Sequence, residues 1–321
     1  LQALDADAIC FGSEAGEIEP FYELVAFLDQ NDEAFNEAVK KQVQKGLSYP
    51  KATSLAFQSL NKENLLDLSR PNNILGFHYV KAISEQKARM EAITIKRTKS
   101  GYHDRAPASP SIASATSIRN EIESKQSLEA VKNLVPPSSY RLLHKEGSEF
   151  GKLVGWEDYF PLLKYRLLTA SPEELRTIYE IEEGIEHRLI DCVKDSENFH
   201  SFIRKVKSKR YTWTRLQRMC THVLTNTKKT EIAAVLRTKK ASYLRLLAMS
   251  QAGRCYLNKQ KKSICLPIVA TRSRHDNLSL RLDERAANTY ALAYDASLQQ
   301  KVMKKEYATV PIQKSDARNQ I

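Results

Sequence analysis

The chain has 321 residues, enough for two ordinary domains, since single cores stop growing near ~250–300 residues. Hydrophobic residues at 42% and charged residues at 27% are close to globular averages, which excludes wholesale disorder. The net charge of +12 is uneven: residues 1–39 hold ten acids and no Lys or Arg, so the rest carries +22.

No stretch approaches the ~20 apolar residues that cross a bilayer, and no secretory signal pattern opens the chain. Five cysteines, Cys10, Cys192, Cys220, Cys255 and Cys265, are odd in number and widely spread. That usage fits a reducing cytoplasm better than a disulfide framework. Cys220 and His222 form one C-x-H pair with no second pair at zinc spacing, so no metal site is expected.

In chain order, Ala6 to Phe11 is short, apolar and β-capable, and Gly12-Ser13-Glu14-Ala15-Gly16 follows as a turn. Helices are expected over Phe21 to Leu28, Asp32 to Val43 and Tyr49 to Leu60, and from Pro71 through Ile83. Ala92 to Arg97 reads as a strand ending in two basic residues, and Thr98 to Ser111 as an irregular loop. This alternation is half of a βαβ arrangement, which places the start of the chain inside an α/β domain with an upstream segment expected.

From Ala113 onward the pattern is nearly all helical. One helix begins near Ser117, Pro136-Pro137 breaks the chain, and Ser171-Pro172-Glu173-Glu174 starts another that reaches Val193 or breaks near Gly184. Further helices are expected from Thr212 or Thr214 to Leu224, from Thr230 to Met249, and from Asp283 to Leu292. Ser263 to Val269 is a candidate strand, and the last dozen residues read as a frayed tail.

Four segments carry candidate chemistry. Gly12 permits close backbone approach to a ligand. Asn72 and Asn73 present amides at a helix start, and Lys96-Arg97 lies at a strand's C-terminal end, where open α/β sheets bind ligands. Ser114, Thr116, Ser117 and Arg119 place three hydroxyls and a guanidinium at a helix N-terminus, a natural phosphate site. His103-Asp104 reads as a structural loop pair, and Glu183 with His187 as an i,i+4 surface pair on a helix.

The second half is built differently. Residues 198–262 contain seventeen Lys or Arg against one acid, Glu231, as expected of a surface that meets a polyanion. Arg204, Lys205, Lys207, Lys209 and Arg210 lead into a helix on which Tyr211, Arg215, Arg218 and His222 share one face. Trp213, Leu216, Cys220 and Leu224 line the opposite, core-seeking face. Tyr211 beside arginines is the candidate for stacking on a base.

Ile112 to Arg119 resembles the Ile-Ser-Ser-Thr-x-Ile-Arg signature of the nucleotidylyltransferase superfamily, with Ala115 in place of a serine. Together with Phe11-Gly12-Ser13-Glu14, Asp67 to Gly76, Thr94 to Arg97, Tyr102-His103-Asp104, Glu182 to Arg188 and Lys209 to Arg218, the chain resembles the bacterial tRNA(Met) cytidine acetate ligase family. The resemblance implies an α/β fold: the C-terminal part of a Rossmann-like nucleotidylyltransferase domain (1–122, ATP-binding) followed by a mostly helical, basic tRNA-binding domain (123–321). It implies a ligase that activates acetate with ATP, with Mg2+, as acetyl-adenylate. The acetyl group then passes to the exocyclic amine of the wobble cytidine of elongator tRNA(Met).

By motif, Gly12, Asn72 and Arg97 match the family's ATP site, with Ser114, Thr116 and Arg119 as phosphate contacts. The family's His-x-Gly-His motif occurs nowhere in the 321 residues. The upstream segment is therefore expected to hold it, and this chain alone is not expected to form acetyl-adenylate at a useful rate. The alternatives are a non-catalytic RNA-binding protein, or a nucleotidylyltransferase of a small metabolite, which leaves the one-signed charge of 198–262 unexplained.

Overall fold

The structure is a computed structural model that describes residues 1–47, 49–60, 66–97, 113–125, 127–272 and 275–314. The candidate pair His103-Asp104 lies outside them. The chain divides into two compact units, Leu1–Leu153 and Val154–Ile321. The boundary expected after residue 122 falls inside a helix of the first unit.

In the first unit, β1 (Ala8–Ser13) is followed by helices α1 (Glu19–Gln30), α2 (Asp32–Gln44), α3 (Tyr49–Leu60) and α4 (Pro71–Glu85), then by β2 (Glu91–Lys96). β1 and β2 pair in parallel, from Ala8 opposite Glu91 to Ser13 opposite Lys96. Parallel neighbours require a long crossover, and the four helices supply it. Both strands therefore end on the same side, at Ser13 and at Lys96-Arg97.

One face of the strand pair is buried: Phe11, Ala92 and the α1 and α4 residues Phe21, Leu24, Phe77 and Val80 form a single core. Gly76 on α4 is required for that approach. A Cβ there would lie 2.3 Å from the Phe11 ring and 2.7 Å from that of Phe21. Further on come α5 (Ala115–Lys125), a short 3-10 turn at Leu128–Val131, and α6 (Pro137–Phe150), which starts at the expected proline break.

The second unit is organised by α7 (Trp156–Thr169), α8 (Pro172–Arg176), α9 (Ile185–Lys194), α10 (Phe199–Val206) and α11 (Trp213–Leu224). Their apolar faces share one core that includes Leu163, Leu167, Leu175, Leu189, Phe202, Ile203, Leu216 and Met219. Trp156 stacks on Phe199 with ring centroids 4.3 Å apart, joining the starts of α7 and α10. Ser171 caps α8 as expected, by accepting from the Glu174 amide at 3.2 Å, but α8 ends at Arg176. Beyond it, Ile178 bridges antiparallel to Lys228 before Gly184 opens α9.

The helix expected from Thr230 to Met249 is corrected: α12 (Lys229–Arg237) stops early, and two short strands follow, β3 (Leu244–Arg245) and β4 (Ala248–Ser250). After α13 (Gln251–Gln260), β5 (Ile268–Val269) pairs with β3. Then α14 (Leu278–Ala291) and α15 (Ala296–Ala308) lead to β6 (Ile312–Lys314), which pairs with β4. These strands need partners far along the chain, which a local periodicity does not show.

Candidate functional site

The strand ends and the start of α4 form a tightly bonded corner. β1 continues two residues past the expected end, so Gly12 and Ser13 belong to the strand and the turn proper lies at Glu14 to Gly16. Gly12 faces Arg97: a Cβ would meet Arg97 Cγ at 3.3 Å, so only a glycine gives that side chain this much room. Gly16 has φ +83°, and a Cβ would lie 2.7 Å from that of Lys96. Two glycines thus let the Lys96-Arg97 pair lie against the turn.

Asn73, only 2% exposed, is the centre of the corner. Its Oδ1 accepts from the amides of Glu14 and Ala15 at 3.0 and 3.1 Å, and its Nδ2 donates to the Asp67 carbonyl at 3.0 Å. The Glu14 carboxylate returns the bond. It accepts from the Asn73 amide at 3.0 Å and from Asn72 Nδ2 at 2.7 Å. A carboxylate at a helix N-terminus satisfies an otherwise orphaned amide and opposes the helix dipole.

Ser13 Oγ meets Thr94 Oγ1 at 2.8 Å and accepts from the Gly16 amide at 2.9 Å. Asp67 accepts from the Ser69 amide at 2.8 Å and pairs with Arg70 at 3.3 Å. The hydrogen bonds from Ser69 hold its carboxyl below the usual carboxylate range.

The corner unites three expected residues, Gly12, Asn72 and Arg97. Lys96 and Arg97 are exposed beside it, and the α4 N-terminus opens on the same side. Such a corner can receive an anionic ligand. Asn73 and Glu14 both fall within the expected segments, but their roles as the bonded centre of the corner are not legible there: nothing in an Asn-Asn pair tells which side chain turns inward. Ser114 is buried and its Oγ accepts from the Ser117 amide at 3.0 Å, so its hydroxyl serves the first turn of α5. Ser117 Oγ is buried without a hydrogen-bond partner among the described residues. Thr116 is half-buried and Arg119 exposed on α5.

On the second unit, Arg204, Lys205, Lys207, Lys209 and Arg210 are all exposed at the end of α10 and in the following loop. Arg210 lies 3.9 Å from Glu183, and Lys205 Nζ donates to the Asp195 carbonyl. Arg188 steadies this end by donating to the Lys205 and Val206 carbonyls at 2.6 and 2.7 Å.

The base-stacking role expected of Tyr211 is corrected. The residue is 5% exposed, its hydroxyl donates to the Glu182 carbonyl at 3.2 Å, and the Arg215 guanidinium covers the ring at 4.9 Å. Burial, then the Glu183 carboxylate, raises its phenol above the ordinary range. Arg218 is drawn to Glu180 at 3.1 Å.

Glu183 precedes α9 in a left-handed turn, φ +57°, so it forms no i,i+4 helix pair with His187. Burial pushes the Cys220 thiol up to about 12, which suits a core thiol. Among the described residues no cluster of three or more His, Cys, Asp or Glu could hold a metal ion.

Residues 1–306 match the family described as HIGH Nucleotidyl Transferase. The tRNA(Met) cytidine acetate ligase of Halalkalibacterium halodurans is 48% identical over 315 residues, covering 97% of this chain and 76% of that protein. That of Bacillus cereus (strain AH187) is 46% identical over 314 residues, covering 97% and 80%.

Two crystal structures of Thermotoga maritima TmcAL are similar at 25% identity. The apo form has a TM-score of 0.86 over 98% of this chain and 79% of that one. The form bound with alpha-thio ATP has 0.84 over 98% and 78%. The matches run through both units, and this chain belongs to the HIGH nucleotidyl transferases, among the tRNA(Met) cytidine acetate ligases.

Proposed function

We propose that this chain is an ATP-dependent ligase that acetylates the exocyclic amine of the wobble cytidine of elongator tRNA(Met). In the first step an acetate oxygen attacks the α-phosphorus of ATP, and the bond to pyrophosphate breaks. In the second step the cytidine amine attacks the acyl carbon, loses a proton and releases AMP. The observation that carries the reading is the corner at Gly12, Asn72 and Arg97, in a chain aligned almost end to end with named ligases.

Charge developing on a leaving pyrophosphate needs preorganised cations and donors. Lys96 and Arg97 supply the cations. Asn72 is held by Glu14 and offers its carboxamide to the nucleotide. Arg119 and Thr116 are further phosphate contacts in this reading, while Ser114 keeps the first turn of α5 in place. Mg2+ would arrive on the nucleotide's own phosphates, the usual mode for this ion. The tRNA backbone would lie on the exposed cations Arg204, Lys205, Lys207, Lys209 and Arg210.

Separate calorimetric titrations of ATP and of tRNA(Met), followed by transfer of labelled acetate to the tRNA, test the reading. The transfer assay is run on a protein that carries the family's His-x-Gly-His segment ahead of these residues. ATP-dependent label on tRNA(Met), absent when the wobble cytidine is replaced by uridine, is expected. Binding of both ligands with no label on the tRNA would overturn the ligase assignment.

A further inference from the structure

The second unit holds a cleft of about 340 Å3 that the proposed chemistry does not use. This is within the ~300–1,000 Å3 of ordinary ligand sites. It opens between the start of α7, the end of α11 and α14. Trp156, Tyr159, Leu224 and Tyr290 make its apolar walls, and Thr221 and Thr289 its polar ones.

The hydroxyl protons of Thr221, Thr289 and Tyr159 are already committed. Thr221 donates to the Gln217 carbonyl at 3.0 Å, Thr289 to that of Arg285 at 2.8 Å, and Tyr159 to that of Tyr290 at 3.0 Å. What these oxygens still offer are lone pairs. To bond these three oxygens a ligand must bring N–H donors, and the aromatic walls favour one that is flat and largely apolar. An anionic group would find no donor among these hydroxyls.

The electrostatic setting narrows the choice. Arg218 stands three residues before Thr221 on α11, and Arg285 four before Thr289 on α14, so each cation shares a helix face with one of the threonines. Glu180 pairs at 3.1 Å with Arg218, which stays exposed, and Glu231 pairs at 2.8 Å with the half-buried Arg285. The same unit carries the seventeen cations and single acid of 198–262. A flat donor-bearing group attached to a polyanion is a nucleobase in RNA, and aromatic walls with backbone cations are how proteins hold unstacked bases.

We infer that this cleft seats an unstacked base of the bound tRNA, one carrying an exocyclic amine or ring N–H, apart from the cytidine that is acetylated. The inference rests on the tRNA reading above. It gives the second unit a specific contact in addition to its sum of charges.

Ala286 lines the cleft and is exposed, so Ala286→Leu narrows it from the solvent side. Stacking of one base is worth about 1–3 kcal/mol, so tRNA(Met) affinity of the full chain should fall about 5- to 150-fold. The salt slope and the ATP affinity should not change. Thr289→Val, which removes one acceptor and keeps the shape, should give a smaller loss in the same direction and serves if Ala286→Leu fails to fold. A blunt RNA duplex should bind wild type and both variants alike.

Folded variants with wild-type tRNA affinity would overturn the base seat while leaving the tRNA reading intact. A wild-type chain that binds no tRNA would overturn both. Equal losses on tRNA and duplex would mean that the cleft contributes general surface shape and no base contact.

Discussion

The strand-end corner and the α10–α11 surface both attract anions, yet they are built on opposite terms. In the corner nearly every polar group is bonded to another: Asn73 to three backbone groups, Glu14 to Asn72 and to the α4 amide, Ser13 to Thr94 and Gly16. On the surface, Arg204, Lys207 and Lys209 extend into solvent with no ion pair among the described residues. A site that handles a reacting phosphate needs fixed donors, because geometry decides the rate. A surface that meets a nucleic-acid backbone works through released counterions, which depend on the number of cations more than on their placement. The corner is therefore sensitive to single atoms, and the surface to sums.

The largest effect is expected where sums are removed. Changing Arg204, Lys205, Lys207 and Lys209 together to Ala should lower the slope of log affinity against log salt by about 3, at ~0.7–0.9 per phosphate contact. At ~0.15 M salt that corresponds to roughly a hundredfold or more in tRNA affinity. The loss should be similar for any tRNA, since phosphate contacts carry little sequence information. Filter binding over a series of salt concentrations measures it, and an unchanged slope would remove these residues from the interface. Arg215→Ala with Arg218→Ala should change the slope less, because one guanidinium covers Tyr211 and the other is held by Glu180.

Next comes a single residue of the corner. Arg97→Ala should weaken ATP binding about ten- to a hundred-fold, the worth of a charge-assisted contact of ~1.5–3 kcal/mol. tRNA affinity should stay as it was. Equal losses of both ligands would break the division of labour between the two regions.

Asn73→Leu tests whether the corner is a scaffold. It leaves the amides of Glu14 and Ala15 and the Asp67 carbonyl without their partner, at ~1–3 kcal/mol for the buried groups. Calorimetry should show a lower melting temperature for the transition that loses ATP protection. Preserved melting with lost ATP binding would instead make Asn73 a ligand contact.

About half of the corner is legible in the amino-acid sequence, and the reason is local. β1, α1 to α4 and β2 follow from periodicity and caps, since their partners are neighbours in a crossover unit. Gly12, Asn72 and Arg97 stand out because glycine, amide and guanidinium at strand and helix ends are chemically distinctive. The inward role of Asn73 does not, because it depends on which of two adjacent amides points inward, a matter of helix phase. Tyr211 misleads for a related reason: its spacing to Arg215 is that of a shared face, but that face turns toward Glu182 and Glu183. The strands β3, β4 and β6 are hidden because their pairing joins Leu244 to Ile268 and Ala248 to Ile312, whereas β5 falls at the end of the strand expected over Ser263 to Val269.

Tyr211→Phe should accordingly be mild. It loses one hydrogen bond to the Glu182 carbonyl, ~0.5–1.5 kcal/mol, and leaves tRNA affinity unchanged. A loss of tRNA affinity above about ten-fold would return the ring to the role of a base platform.

The smallest effect separates the two units by pH. Burial, opposed in part by Glu180 and reinforced by Arg218, holds the His222 imidazole below its ordinary value. His78 on α4 is lowered too, by burial and by Lys81, against Glu85. A group whose folded pKa is depressed contributes its full stability above the unfolded value of about 6.5, and that contribution falls as pH drops through the folded pKa. Both units should therefore soften between about pH 6.5 and the carboxylate range near 4.5, before Glu174 and Glu231, whose own values are lowered, begin to lose their pairs. His222→Gln should flatten this part of the profile in the second unit alone, and His78→Gln in the first alone. Limited proteolysis across that range, with fragments assigned to 1–153 or 154–321, reads the two separately. A profile that rises as pH falls, or one that either variant flattens in both units at once, would show that protonation acts through some other group.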